Sequence, residues 1–151
     1  MLDGAAVEGQ ERQSDASDAL GTLHTRTVDA LRGFAKMVEK AEPEFRPVAQ
    51  KFHDLHAQHA GAIARILSAR GQAVDADGSI MGTVNETVVG LRAFFDEIDE
   101  DVMDNVRSGE GHVLKAFDDA LADTLQQDER LAVEAMRGEL TRLLDETSHL
   151  D

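Results

Sequence analysis

Cysteine, tryptophan and tyrosine are missing from this chain of 151 residues, and proline occurs only twice. Without cysteine there can be no disulfide, no thiolate zinc site and no cysteine nucleophile. Long apolar runs are also missing. No stretch approaches the roughly 20 apolar residues that a helical membrane span needs. No basic segment followed by an apolar core opens the chain, so no signal peptide is expected and the cytoplasm is the default location. Positive charge is scarce, with 15 basic against 30 acidic residues and a formal charge of -15. That balance repels a phosphate backbone and an anionic lipid surface, which argues against nucleic acid and membrane as partners.

What remains is helix-forming. Alanine, leucine, aspartate, glutamate and arginine dominate, a composition that favours helix over sheet. The length predicts one domain with a core of useful size. Residues 1–15 are polar and small without a period, and are read as a disordered or loosely docked tail. The single domain is then 16–151.

The first helix is expected to start near Ser17 or Asp18, both good caps. Leu20, Leu23, Thr27, Leu31, Phe34 and Val38 form its buried stripe. It stops by Glu42, because Pro43 restricts the residue before it. Pro47 suits the first turn of a second helix, whose stripe is Val48, Phe52, Leu55, His59, Ile63 and Ile66 and whose C-cap glycine is Gly71. Thr83 and Glu86 have capping-box spacing ahead of a shorter helix carrying Phe94 and Phe95. A third long helix is expected from about Asp99 to Asp123, with Val102, Val106, Gly109, Val113, Phe117 and Ala120 inward. Thr124 and Gln127 suggest a capping box for a last helix burying Leu131 or Ala132, Val133, Met136, Leu140, Leu143 and Leu144.

These elements predict an all-α fold: a four-helix bundle with an extra short helix between helices 2 and 3. The stretch from about Gln72 to Asp101 is long enough to run the length of the bundle. Helices 2 and 3 could then lie parallel, which is the one-crossover arrangement of ferritin-like folds.

The chemistry-bearing residues are few. His56 and His59 lie one turn apart on the apolar face of helix 2, and His24 falls within ~40° of the middle of the helix 1 stripe at 100° per residue. Glu110 lies at the edge of the helix 3 stripe, between Gly109 and Gly111, which would admit a close helix approach or relax the turn. A buried imidazole must hydrogen-bond, bind a metal or stay neutral at a cost. His53 reads as a rim residue, and His112 points away from the stripe.

Three stretches carry a family resemblance: Leu31-Arg32-Gly33-Phe34-Ala35, then Arg70-Gly71-Gln72 with Gly78-Ser79-Ile80-Met81-Gly82, and above all Ser108-Gly109-Glu110-Gly111-His112-Val113-Leu114-Lys115-Ala116-Phe117-Asp118-Asp119-Ala120-Leu121. Nearly the whole chain after the tail resembles an uncharacterised bacterial family of ferritin-like four-helix-bundle proteins, a domain of unknown function. The resemblance implies the fold and, by analogy only, a link to stress. It brings no settled activity.

A di-iron centre of the ferritin-like kind needs a glutamate from each of two helices and Glu-x-x-His from each of the others. Here helix 2 offers His53-x-x-His56 and His56-x-x-His59, and helix 4 offers Glu134-x-x-Arg137 and Glu139-x-x-Arg142, in which arginine cannot ligate. Glu129 is a further candidate to face inward. The full set is therefore not expected. Two readings stand. The leading one is a non-enzymatic structural or interaction module, self-associating as a dimer, with His24 and His59 as neutral core histidines bonded to each other, to Glu110 or to backbone. The other is a metal-binding protein holding one transition-metal ion, iron, zinc or another, on His24, His56, His59 and Glu110, since imidazole suits several such metals.

Overall fold

The computed structural model describes the backbone of residues 3–72 and 102–150, and the side chains of 16–72 and 102–150. Within them are four helices: α1 Asp3–Lys40, α2 Arg46–Ala69, α3 Met103–Ala122 and α4 Gln127–Glu146. No strand occurs among the described residues. The Asp77-Gly78-Ser79 loop, the Thr83 capping box and the short helix with Phe94 and Phe95 lie outside them.

Each described helix buries the stripe that its period demands, with adjustments. On α1 the buried positions are Leu20, Leu23, His24, Thr27, Phe34 and Met37, whereas Leu31 and Val38 are only half-buried. On α2 they are Ala49, Phe52, His56, His59, Ala60, Ile63 and Leu67. The centre of that face is thus rotated towards His56, away from Leu55 and Ile66. Phe34 and Phe52 stack across the α1–α2 interface with ring centres 5.1 Å apart. Burying such a ring contributes about 1.5–3 kcal/mol.

The helix ends correct the sequence reading in two places. Helix α1 begins at Asp3, not near Ser17 or Asp18. Ala5, Ala6, Glu8, Gln10, Glu11, Arg12 and Gln13 are mostly good helix formers, and no proline interrupts them, so local propensity carries the helix back beyond the two candidate caps. The cap of α4 is Gln126, not Thr124. Glu129 reaches back to accept from the Gln126 N–H at 2.8 Å, the reciprocal half of a capping box shifted by two residues.

Gly71 does end α2 as read. Its φ of 85° is the only positive value among the described residues. The Gln72 N–H reaches the Leu67 carbonyl at 2.9 Å and the Gly71 N–H reaches Ser68 at 3.0 Å. This is the paired hydrogen bonding of a Schellman ending, which needs a left-handed residue and so favours glycine.

Arginines close the other three helix ends. Arg46 donates to the carbonyls of Val38 (3.1 Å) and Ala41 (2.8 Å) at the end of α1. Arg130 donates to those of Leu121 (2.9 Å) and Asp123 (3.1 Å) after α3. Arg107 donates to Thr147 (3.2 Å) and to Leu150 after α4. A cation there satisfies orphan carbonyls and complements the negative end of the helix dipole.

The packing is a bundle in which α1 lies against α2 and α3, and α4 lies against α3 and α2. Cross-helix pairs give the directions. Ser17 meets Arg70 while Phe34 meets Phe52, so α1 and α2 are antiparallel. Arg70 meets Glu129 while His59 meets Glu139, so α2 and α4 are antiparallel. Arg107 meets Thr147 while Arg137 meets Asp118, so α3 and α4 are antiparallel as well. No described helix is long and apolar enough to cross a membrane.

Candidate functional site

His56 and His59 ride inward on the same face of α2, with Phe52 and Ile63 one turn away on either side. His56 is fully buried. Its ring stacks on Phe34 of α1, with centres 5.6 Å apart. Its Nε2 is hydrogen-bonded with Oε1 of Glu110 on α3 at 2.7 Å.

Glu110 is 1% exposed. It sits at the centre of the α3 face, because Met103, Val106, Val113 and Phe117 are buried around it. The edge position read from the sequence is corrected by the inclusion of Met103, which rotates the buried arc. Gly111 makes no close helix approach, since a Cβ there would meet nothing within 4 Å.

His59 lies 6.5 Å from His56 between ring centres, edge to face, and edge-on to Phe117 of α3 at 6.1 Å. Its Nε2 is hydrogen-bonded with Oε1 of Glu139 on α4 at 3.2 Å. Burial pushes the His59 imidazole below its usual pKa, against the opposing effect of the Glu139 hydrogen bond. In the sequence Glu139 is read only as part of Glu139-x-x-Arg142, whose arginine cannot ligate. The signal that would have found it is its place three residues after Met136, at the rim of the buried α4 stripe.

His24 is buried too, and burial alone holds its pKa low. The pairs Ser17–Arg70 and Phe34–Phe52 place it near the level of Ile63, about one turn beyond His59. Among the described residues no hydrogen bond or ion pair joins His24 to His56, His59 or Glu110. Of the alternatives in the leading reading, bonds from His24 to His59 or to Glu110 are not among the described hydrogen bonds. The buried polar atoms that lack a hydrogen-bond partner among the described residues include Nδ1 of His24, His56 and His59, and Oε2 of Glu110. No three His, Asp or Glu side chains there are gathered as they stand where they could hold one metal ion.

A second cluster was missed from sequence. Arg70, in the C-cap position of α2, donates to both oxygens of Glu129 at 2.8 Å and to Ser17 Oγ at 3.0 Å. The bidentate hydrogen bond from Arg70 holds the Glu129 carboxyl below its usual pKa, against the effect of burial. Glu129 faces inward, as the sequence suggested, but it is engaged by arginine. On the rim, His53 is half-buried and lies 3.0 Å from Asp54.

Residues 15–123, most of the chain, match the family described as a domain of unknown function (DUF2383). The chain belongs to that family. The match includes His24, His56, His59 and Glu110 but stops before α4, so Glu129 and Glu139 lie beyond it. No curated protein and no solved structure matches the chain.

Proposed function

We propose that this family member is a ferritin-like bundle with a single long crossover between α2 and α3, acting as a non-enzymatic structural or interaction module in the cytoplasm. The antiparallel pairs α2/α4 and α3/α4 support the crossover, since they leave α2 and α3 running the same way on opposite sides of the bundle. The observation that carries the module reading is that inward acids and bases bind helix to helix: His56 to Glu110, His59 to Glu139, and Arg70 to Glu129 and Ser17. Such cross-helix polar pairs hold neighbouring helices in register.

Self-association as a dimer belongs to this reading. It is supported by Leu131 on α4, the one large hydrophobic side chain exposed among the described residues, at 59%. Light scattering coupled to size exclusion is expected to return twice the chain mass, and Leu131→Ser is expected to return it to one. A monomer at every concentration would refute self-association.

A second reading, a transition-metal ion held in the core, is favoured by the unpartnered Nδ1 atoms of His56 and His59 and Oε2 of Glu110. Buried polar atoms without partners call for a water or an ion. Elemental analysis of untagged protein decides it: stoichiometric metal supports this reading, and none, with melting unchanged by chelator, leaves the module alone.

A further inference from the structure

The outer face of α4 points to how two copies of this chain meet: we propose that α4 packs on α4 of a second copy, antiparallel about a two-fold axis at Gly138, with Glu134 of each copy paired to Arg142 of the other. The proposal rests on the self-association reading above and names its surface.

Helix α4 buries Glu129, Val133, Met136, Leu140 and Leu143 on one side. At 100° per residue the opposite arc carries Leu131, Glu134, Ala135, Gly138, Arg142 and Asp145, and all six are exposed. Leu131 is the one large hydrophobic side chain so placed among the described residues. Ala135 and Gly138 keep the middle of the face low, and a Cβ at Gly138 would meet nothing within 4 Å. A second helix can therefore lie along this face without displacing anything described.

Charge says which partner fits. The chain has 30 acidic residues against 15 basic ones, so two copies repel unless a base is set against an acid where they touch. The other arginines of α4 are engaged within the chain, Arg130 on the carbonyls of Leu121 and Asp123 and Arg137 on Asp118. Arg142 makes no side-chain hydrogen bond or ion pair among the described residues, and neither does Glu134.

These two charges lie four residues either side of Gly138, about 6 Å along the axis in opposite directions. A two-fold interface is isologous: residue i of one copy meets j of the other, and j meets i. Antiparallel pairing about Gly138 thus brings each Glu134 level with Arg142 of the other copy, and makes the contact twice. Parallel pairing would set each charge against its own kind. Leu131 then lies within a turn of Arg142 of the second copy, whose methylene stem can cover an apolar side chain while its guanidinium stays in water. Asp145, the remaining charge of the face, comes level with Leu131 and not with an acid.

Sedimentation equilibrium of the full-length untagged chain tests this, on variants whose far-ultraviolet circular dichroism matches the wild type. Glu134→Arg alone and Arg142→Glu alone each bring like charges together twice per dimer, and each is expected to weaken the dimer about ten-fold or more. Glu134→Arg also lowers the overall negative charge, so weakening there cannot come from general repulsion. The double variant Glu134→Arg/Arg142→Glu reverses both signs and is expected to return the dimer to within about three-fold of the wild type. A wild type that is monomeric at every concentration would overturn both this proposal and the self-association reading. A dimer that the single variants leave undiminished, or that the double variant fails to restore, would overturn this surface while self-association stands.

Discussion

Arg70 and Glu129 form a bidentate ion pair, two parallel bonds of 2.8 Å between the end of α2 and the start of α4, with both side chains about nine-tenths buried. The same guanidinium holds Ser17 of α1. One arginine thus ties three helices at one end, and its partner also caps α4.

Removing Glu129 takes a bidentate carboxylate away from a mostly buried guanidinium, which costs on the order of 3 kcal/mol. Glu129→Ala is therefore expected to lower stability by about that amount in urea unfolding followed by far-ultraviolet circular dichroism. The low carboxyl pKa of Glu129 sets a pH window. A carboxyl held below its unfolded value contributes stability above that value, and loses it as pH falls through the folded one. The wild type is expected to lose this contribution below about pH 4.5, and Glu129→Ala is expected to show a shallower acid limb there.

The imidazoles predict a separate window. His24 and His59 are held neutral by burial, with pKa values below 6.5. The unfolded chain therefore binds protons that the folded one refuses, and stability must fall as pH drops below about 6.5. Each such histidine contributes at most about 1.4 kcal/mol per pH unit to the slope. Urea midpoints measured from pH 7 to 5 are expected to decline with a slope of up to two protons. His24→Leu, an apolar side chain in an apolar surround, is expected to reduce that slope by up to one proton. An unchanged slope in the variant would refute the assignment to His24.

At Gly71 the left-handed backbone leaves space but not conformational freedom for a side chain, since a Cβ would meet nothing within 4 Å at φ of 85°. Gly71→Ala is expected to cost about 1–2 kcal/mol from backbone strain alone. Gly138→Ala, in the middle of α4 with equally open space, is expected to gain about 0.5–1 kcal/mol instead. Thermal melts of the two variants should move in opposite directions.

Much of the fold was legible because it is written locally. The period of Leu20, Leu23, Thr27 and Phe34 or of Val106, Val113, Phe117 and Ala120 needs only neighbours along the chain, and these positions are buried. Gly71 was legible because a helix end that bonds in the Schellman way favours glycine. The start of α1 was not, because Ser17 and Asp18 can cap a helix or simply continue one, and the choice depends on the propensity of what precedes them. The cap of α4 slipped from Thr124 to Gln126 for a similar reason: two overlapping patterns competed over a few residues.

The inwardness of His24, His56, His59 and Glu110 was determined by the sequence itself, through helical period and apolar neighbours. Only tertiary structure decided which of them meet. His56 finds Glu110 and His59 finds Glu139, while His24 is about one turn away along the bundle. Periodicity fixes the angle of a side chain about its own helix axis. It carries no information on how far one helix slides along another, and that axial register, set by packing between segments distant in the chain, is what joins an imidazole to its carboxylate.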